Sequence, residues 1–250
     1  MKKYGIIGFP LQHSFSRTYF TEKFKNSNLF ECSYFNFEIE KIQLFPELIK
    51  NNPQLLGLNV TIPYKESILS FIDELDVSAS EVGAVNVIKI IREDDNVFLI
   101  GYNTDVYGFT QSLKPNLHSE IHHAIILGTG GAAKAAAAGL RHLGIDYLFV
   151  SRGESNFEKD IVNYAELTSK IISNSLLIIN ASPLGMFPKI NNCPEIDYTL
   201  LTQKHILFDL IYNPEQTLFL KKGQEHGTKT INGMKMLILQ AEKTWEIFNR

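Results

Sequence analysis

Three groups of residues in this chain of 250 residues have the types and spacing to do chemistry. The first is the glycine cluster Gly128-Thr129-Gly130-Gly131-Ala132-Ala133. It follows the apolar run Ala124-Ile125-Ile126-Leu127 and opens into an alanine-rich segment reaching Leu143. The pattern is G-x-G-x-x-A at Gly128, Gly130 and Ala133. Gly128 lets the chain turn sharply, Gly130 lets a pyrophosphate approach the backbone, and Ala133 keeps the following helix close to the strand. That helix presents free N–H groups and a partial positive charge to phosphates. With strand and helix contexts both present, the stretch reads as a dinucleotide-binding corner rather than an ordinary glycine turn without a ligand.

The second group ends the next strand, Tyr147-Leu148-Phe149-Val150, at Ser151-Arg152-Gly153. A site for NAD usually has an acidic residue there, accepting from the ribose 2′-OH. Arg152 stands about 20 residues on from the glycines, where an arginine can hold a 2′-phosphate, which favours NADP. Glu154 partly opposes that charge, and a solvated loop cation is the plainer account of Arg152. The third group is Asn59-Val60-Thr61-Ile62-Pro63-Tyr64-Lys65, closing a buried-strand pattern. Asn59 and Thr61 point to one face and Val60 and Ile62 to the other. Polar residues aligned at a strand end, followed by a lysine, suggest a site opening at that edge; an edge strand with a wet face has the same pattern. Other polar residues are ambiguous. Ser14 or Ser16 can cap a helix, Asn86 interrupts an apolar run and needs partners, and Asp105 suits the first turn of a helix.

The elements that must position these groups follow from periodicity and turn residues. In the first half the pattern predicts a strand from Tyr4 to Gly8, a helix through Tyr19, Phe20 and Phe24, and a strand from Ser33 to Ile39. A helix begun by Pro46 and a strand from Leu55 to Ile62 follow. Leu75 to Ala84 reads as a link. Val85 to Ile91 and Val97 to Ile100 form a hairpin around Asp94-Asp95-Asn96, and a short helix from Asp105 ends near Pro115. In the second half the glycine corner is followed by the strand ending at Ser151. Only about ten residues then separate Arg152 from Ile161-Val162, where a full crossover helix barely fits, so that connection is expected to be a turn or stub. A helix over 166–173, strands at 176–180 and 206–210, a helix over 218–227, a strand at 229–231 and a terminal helix over 234–249 complete the chain.

Composition bounds the class. Hydrophobic residues make up 44% and charged residues 20% of the chain, an ordinary globular balance. A net charge of −3 without a basic block argues against nucleic-acid binding. Cys32 and Cys193 make no disulfide framework, and no C-x-x-C or His/Cys cluster suggests a metal. The start, with two lysines, is broken by Gly8 and Pro10 too early for a signal h-region, and no uninterrupted apolar run is long enough to span a bilayer. The expectation is a cytoplasmic protein with no membrane partner, a small-molecule substrate, and a monomeric or homodimeric state.

Several separated motifs together resemble the shikimate dehydrogenase family, NADP enzymes of aromatic amino-acid biosynthesis that interconvert 3-dehydroshikimate and shikimate. They are His13-Ser14-Phe15-Ser16, Asn59 to Lys65, Gly83-Ala84-Val85-Asn86, Asn103-Thr104-Asp105-Val106-Tyr107-Gly108, Gly128 to Ala132, Asn180-Ala181-Ser182-Pro183-Leu184-Gly185-Met186, Asp209-Leu210-Ile211-Tyr212-Asn213-Pro214, and Gly233 with Met236 and Gln240-Ala241. They come in the family's order over nearly the whole chain. The resemblance implies that Lys65 and Asp105 are the catalytic pair and that Ser14 and Ser16 hold the substrate carboxylate. It implies that Asn59, Thr61, Asn86, Tyr212 and Gln240 contact the carboxylate and ring hydroxyls. Gly128, Thr129, Gly130, Gly131, Ala132, Ser151, Arg152, Leu210 and Gly233 are implied cofactor contacts. Arg17 stands where the family usually has proline, Ser151-Arg152-Gly153 replaces the usual Asn-Arg-Thr, and the segment after it is shorter than usual.

The expected architecture is two α/β domains. Residues 1–103 form a substrate domain onto which the terminal helix, 234–250, packs back, and residues 104–233 form a Rossmann-type parallel-sheet NADP domain. The site is expected in the cleft between them, where closure would exclude water. Lys65 is expected to give a proton to the carbonyl oxygen during reduction, with Asp105 pairing with it and holding the hydroxyl. The alternatives are a quinate/shikimate dehydrogenase using NAD and a dinucleotide-binding regulator without turnover; the intact Lys65 and Asp105 argue against the second.

Overall fold

The computed structural model describes residues 1–11, 14–94, 96–156 and 160–250; His13 and Asp95, named above, lie outside them. The chain divides into two compact units, Met1–Thr104 with Ala241–Arg250, and Asp105–Gln240. Thr104 thus goes with the first unit, and the terminal helix is shared, its residues 234–240 counting with the second unit.

The first unit contains β1 (Lys2–Gly8), α1 (Phe15–Asn26), β2 (Cys32–Glu38), α2 (Phe45–Asn51), β3 (Leu55–Val60), β4 (Glu74–Leu75), α3 (Val77–Val82), β5 (Val87–Glu93) and β6 (Asn96–Tyr102). The strands form one mixed sheet in the order β2-β1-β3-β5-β6-β4. β1 runs parallel to β2 and β3, whereas β5 is antiparallel to both β3 and β6. Alternating side chains go to opposite faces of a strand, and both faces here are buried. Ile7, Leu58, Val60 and Ile88 pack with Phe45, Tyr64 and Ile68 on one side. Tyr4, Ile6 and Val87 pack with Phe20, Phe24 and Phe248 on the other.

Two elements differ from the sequence expectation. The supposed link at 75–84 contains α3, whose N-terminus is capped by Asp76 accepting from Ser78 N at 2.9 Å and whose C-terminus is closed by Gly83 at φ +66°. Both cap residues are readable, but a helix of six residues is too short to show an apolar period. The helix expected over 166–173 begins only at Ser169, because Asn163 and Glu166 first close a separate capped turn and Thr168 then caps the helix.

The second unit contains α4 (Asp105–Leu113), β7 (His123–Leu127), α5 (Gly131–His142), β8 (Asp146–Ser151), β9 (Ile161–Asn163), α6 (Ser169–Asn174), β10 (Leu177–Asn180), β11 (Ile206–Asp209), α7 (Leu218–Glu225) and β12 (Lys229–Ile231), with α8 (Met234–Phe248) closing the chain. Its sheet is wholly parallel in the order β12-β11-β10-β7-β8-β9. Counted along the chain from β7 this is the doubly wound order 3-2-1-4-5-6, whose switch point lies between β7 and β10. The connection from β8 to β9 carries no helix among the described residues. The alanines of α5 account for its close seating: Ala133, Ala136 and Ala137 lie in one core with Phe109, Ile126, Ile179 and Phe208. At Gly139 even a methyl group would come within 2.6 Å of the Phe109 ring. Among the described residues no helix is long and apolar enough to cross a membrane.

Candidate active site

In the first unit the polar residues are tied into one buried network. The Tyr34 phenol donates to Asn59 Oδ1 at 2.7 Å, and the buried Ser16 hydroxyl sits near enough to the same phenol to draw its pKa down. Burial holds that phenol well above its ordinary pKa, so it stays neutral and able to donate. Asn59 Nδ2 donates at 3.4 Å to both the Asn86 carbonyl and Thr244 Oγ1. Thr244 Oγ1 lies 3.2 Å from Thr104 Oγ1, and Asn86 closes the chain by donating to Thr104 Oγ1 at 3.0 Å and accepting from Thr104 N at 2.7 Å. All six side chains are buried.

Ser14 is engaged differently: its Oγ caps α1 by accepting from Arg17 N at 3.3 Å. Thr61 follows β3, its N–H donating to the Ile7 carbonyl at 2.9 Å, and its methyl leaves no room for a side chain at Gly8. The turn beyond it is anchored by Tyr64, whose hydroxyl donates to the Ile39 carbonyl at 2.5 Å. Lys65 is half-buried, and its carbonyl accepts from Val85 N at 2.7 Å, next to Asn86 in the chain. Asn103 donates to the Ala84 carbonyl at 2.9 Å, so Asn103 and Thr104 are held against the same stretch. Asp105, buried, is the first residue of α4, where the helix dipole favours a carboxylate.

In the second unit the glycine corner sits at the switch point. Gly128 adopts φ +118°, and a Cβ there would stand 3.1 Å from the Ala181 carbonyl in the turn after β10. Gly130 is the N-cap of α5 with nothing within 4 Å of where a Cβ would stand, so a phosphate can reach the backbone. Gly131 and Ala132 begin that helix, and Thr129 is exposed. Their N–H groups, in the first turn, lack helical acceptors. Ser151 ends β8, and its Oγ accepts from Gly153 N at 3.2 Å, folding the chain around the exposed Arg152. The Arg152 charge reaches Tyr164, where it opposes the upward push of burial on that phenol. Leu210 N donates to the Asn180 carbonyl at 2.9 Å, and Gly233 is pressed so closely on the Leu210 carbonyl that no side chain fits there. Tyr212 is half-buried with its phenol pushed up by burial, and the buried Gln240 donates to the Leu237 carbonyl at 2.9 Å.

Ser16, Asn59 and Asn86 are therefore brought into one network, with Thr61 and Lys65 in the turn that follows β3. Gly128 and the Leu210–Gly233 pair each gather at strand ends of the second sheet. Sequence inspection overlooked Tyr34, Thr104 and Thr244 as partners in the first unit. It also overlooked Asp209 and Thr217 in the second, although a charged residue closing the apolar run Ile206-Leu207-Phe208 was a visible signal.

A doubly wound parallel sheet with a glycine corner at its switch point defines a dinucleotide-binding α/β protein. Residues 6–88 match the family model for the shikimate dehydrogenase substrate binding domain. The chain is 40% identical over 260 residues to the shikimate dehydrogenase (NADP(+)) of Syntrophomonas wolfei, covering 97% of this chain and 88% of that protein. Shikimate dehydrogenase 1 from Peptoclostridium difficile is 36% identical, with a TM-score of 0.83 over 100% of this chain and 92% of that one. The shikimate 5-dehydrogenase of Thermus thermophilus, solved in complex with NADP(H) and shikimate, is 26% identical with a TM-score of 0.85 over 99% and 93%. The chain belongs to the shikimate dehydrogenase family.

Proposed function

We propose that this protein catalyses the NADPH-dependent, reversible reduction of 3-dehydroshikimate to shikimate, in the cytoplasm, as a monomer or homodimer. The first unit binds the substrate and the second the dinucleotide. The main support is the buried network of Ser16, Asn59 and Asn86 with Tyr34, Thr104 and Thr244, in which every group is a neutral hydroxyl or amide. Such a lining suits a ring bearing several hydroxyls and one carboxylate. It rejects analogues that lack a hydroxyl, because its own polar groups would be left unpaired.

Ser14 and Ser16 hold the substrate carboxylate, and Asn59, Thr61, Asn86, Tyr212 and Gln240 orient the ring. NADPH, when bound, supplies the hydride. Lys65 gives the proton to the carbonyl oxygen during reduction and takes it back during oxidation, while Asp105 pairs with the amine and holds the reacting hydroxyl. The open backbone at Gly130 and the positive φ of Gly128 fit a pyrophosphate at the start of α5. Thr129, Gly131 and Ala132 complete that cradle, Leu210 and Gly233 contact the cofactor further along, and Ser151 with Arg152 receives the 2′-phosphate. The test is absorbance at the reduced-nicotinamide band with purified protein: 3-dehydroshikimate should consume NADPH, and an unchanging trace would overturn the proposal.

A further inference from the structure

Asp209 closes β11 with no solvent exposure. A carboxylate buried this deeply is costly unless it is thoroughly hydrogen-bonded, and this one is bonded from three directions. Thr217 Oγ1 donates to Oδ2 at 2.6 Å, while Ile211 N at 3.0 Å and Asn180 Nδ2 at 3.1 Å donate to Oδ1. Each donor belongs to a different piece of chain. Asn180 ends β10 and shapes the turn beyond it, its Oδ1 accepting from Ser182 N at 3.1 Å and Ser182 Oγ at 2.7 Å, and its Nδ2 also donating to the Leu184 carbonyl at 3.1 Å. That turn presents the Ala181 carbonyl to Gly128. Ile211 lies in the turn after β11, where the Leu210 carbonyl meets Gly233. Thr217 is the N-cap of α7 and also accepts from Leu220 N at 3.3 Å.

We infer that Asp209 is a positioning residue for the dinucleotide site: it fixes the turn that faces Gly128 and the turn that seats Leu210 on Gly233, without itself touching the cofactor. This rests on the proposal that Gly128, Leu210 and Gly233 contact the dinucleotide. A leucine would fill the same volume without the desolvation cost, but would direct neither turn. Burial lifts the carboxyl to about 6, outweighing the three bonds that pull it down, so the charge is held at a cost to the fold.

The test uses the full-length enzyme with Thr217→Val, Thr217→Ser, Asp209→Asn and, as a core control, Ile172→Ala. NADPH affinity is read by fluorescence titration, alongside KM for shikimate and melting temperature. Thr217→Val leaves Oδ2 without its donor and should weaken NADPH binding about tenfold, with KM for shikimate within about twofold. Thr217→Ser should restore binding, Asp209→Asn should fall between wild type and Thr217→Val, and Ile172→Ala should lower the melting temperature without moving NADPH affinity. Unchanged NADPH affinity in Thr217→Val, or an equal loss in Ile172→Ala, would make Asp209 merely structural. Because affinity is read without turnover, wild type that binds NADPH but leaves shikimate untouched would sink the proposed activity alone. Wild type that fails to bind NADPH would sink both.

Discussion

The two units bury their polar groups on opposite plans. In the first, Tyr34, Asn59, Asn86, Thr104 and Thr244 are all neutral, and several of their bonds are long, from 3.2 to 3.4 Å. In the second, one buried carboxylate, Asp209, gathers three bonds of 2.6 to 3.1 Å. Long bonds between neutral groups are worth little each and can be exchanged for bonds to a ligand's hydroxyls at small cost. A buried charge cannot give up its partners so cheaply. The first plan therefore suits a surface that trades bonds with a substrate, and the second a frame that must not move when a cofactor binds.

The comparison can be broken at several points. The largest expected effect lies outside both networks: Lys65→Ala should lower kcat by about 10²–10⁴-fold while KM for shikimate changes far less. Turnover within a few-fold of wild type would remove Lys65 from proton transfer. Next is Asp209→Ala, which leaves buried donors on Thr217, Ile211 and Asn180 without an acceptor; urea unfolding should show a loss of about 3 kcal/mol or more.

A pH experiment sharpens the same point. The folded carboxyl titrates at about 6 against an ordinary 3.8, so the folded state keeps this proton where the unfolded chain has lost it. Stability should therefore fall as pH rises across that window, by on the order of 3 kcal/mol. The neighbouring phenol of Tyr198 feels the Asp209 charge, but burial pushes it far up and keeps it neutral throughout. In Asp209→Asn the fall should vanish, and parallel stability curves for variant and wild type would contradict the assignment. The smallest effect belongs to the neutral network: Tyr34→Phe should cost about 1 kcal/mol, yet raise KM for shikimate and leave NADPH affinity unchanged. A stability loss as large as that of Asp209→Ala would erase the distinction between the two plans.

What was legible in the sequence is what is local. Gly128 announces itself because a turn at φ +118° disfavours any side chain, and Gly130 because the glycine pattern leaves the backbone open at the start of the helix. The span after Arg152 likewise carries no helix before β9 among the described residues. The neutral network was not legible because its bonds join distant positions: Thr244 meets Thr104 across 140 residues, and Tyr34 meets Asn59 across 25. Tyr34 looks like any aromatic in an alternating strand, and Thr244 like any small residue on a helix. Asp209 stands at the end of an apolar strand, and only the fold reveals that three pieces of chain converge on it. For Lys65 and Asp105 the sequence offers ordinary explanations, a surface ion pair or, for Asp105, an early-helix carboxylate, so the roles proposed for them rest on the family pattern rather than on local physics.

The most direct measurement is kcat/KM for shikimate with NADP, set beside shikimate with NAD and quinate with NAD, under one set of conditions. Arg152 at the end of β8 predicts that shikimate with NADP beats shikimate with NAD by about tenfold or more, and the match to NADP-dependent shikimate dehydrogenases predicts that quinate with NAD falls below both. A higher value for quinate with NAD, or no reduction of NADP by shikimate at all, would contradict the account.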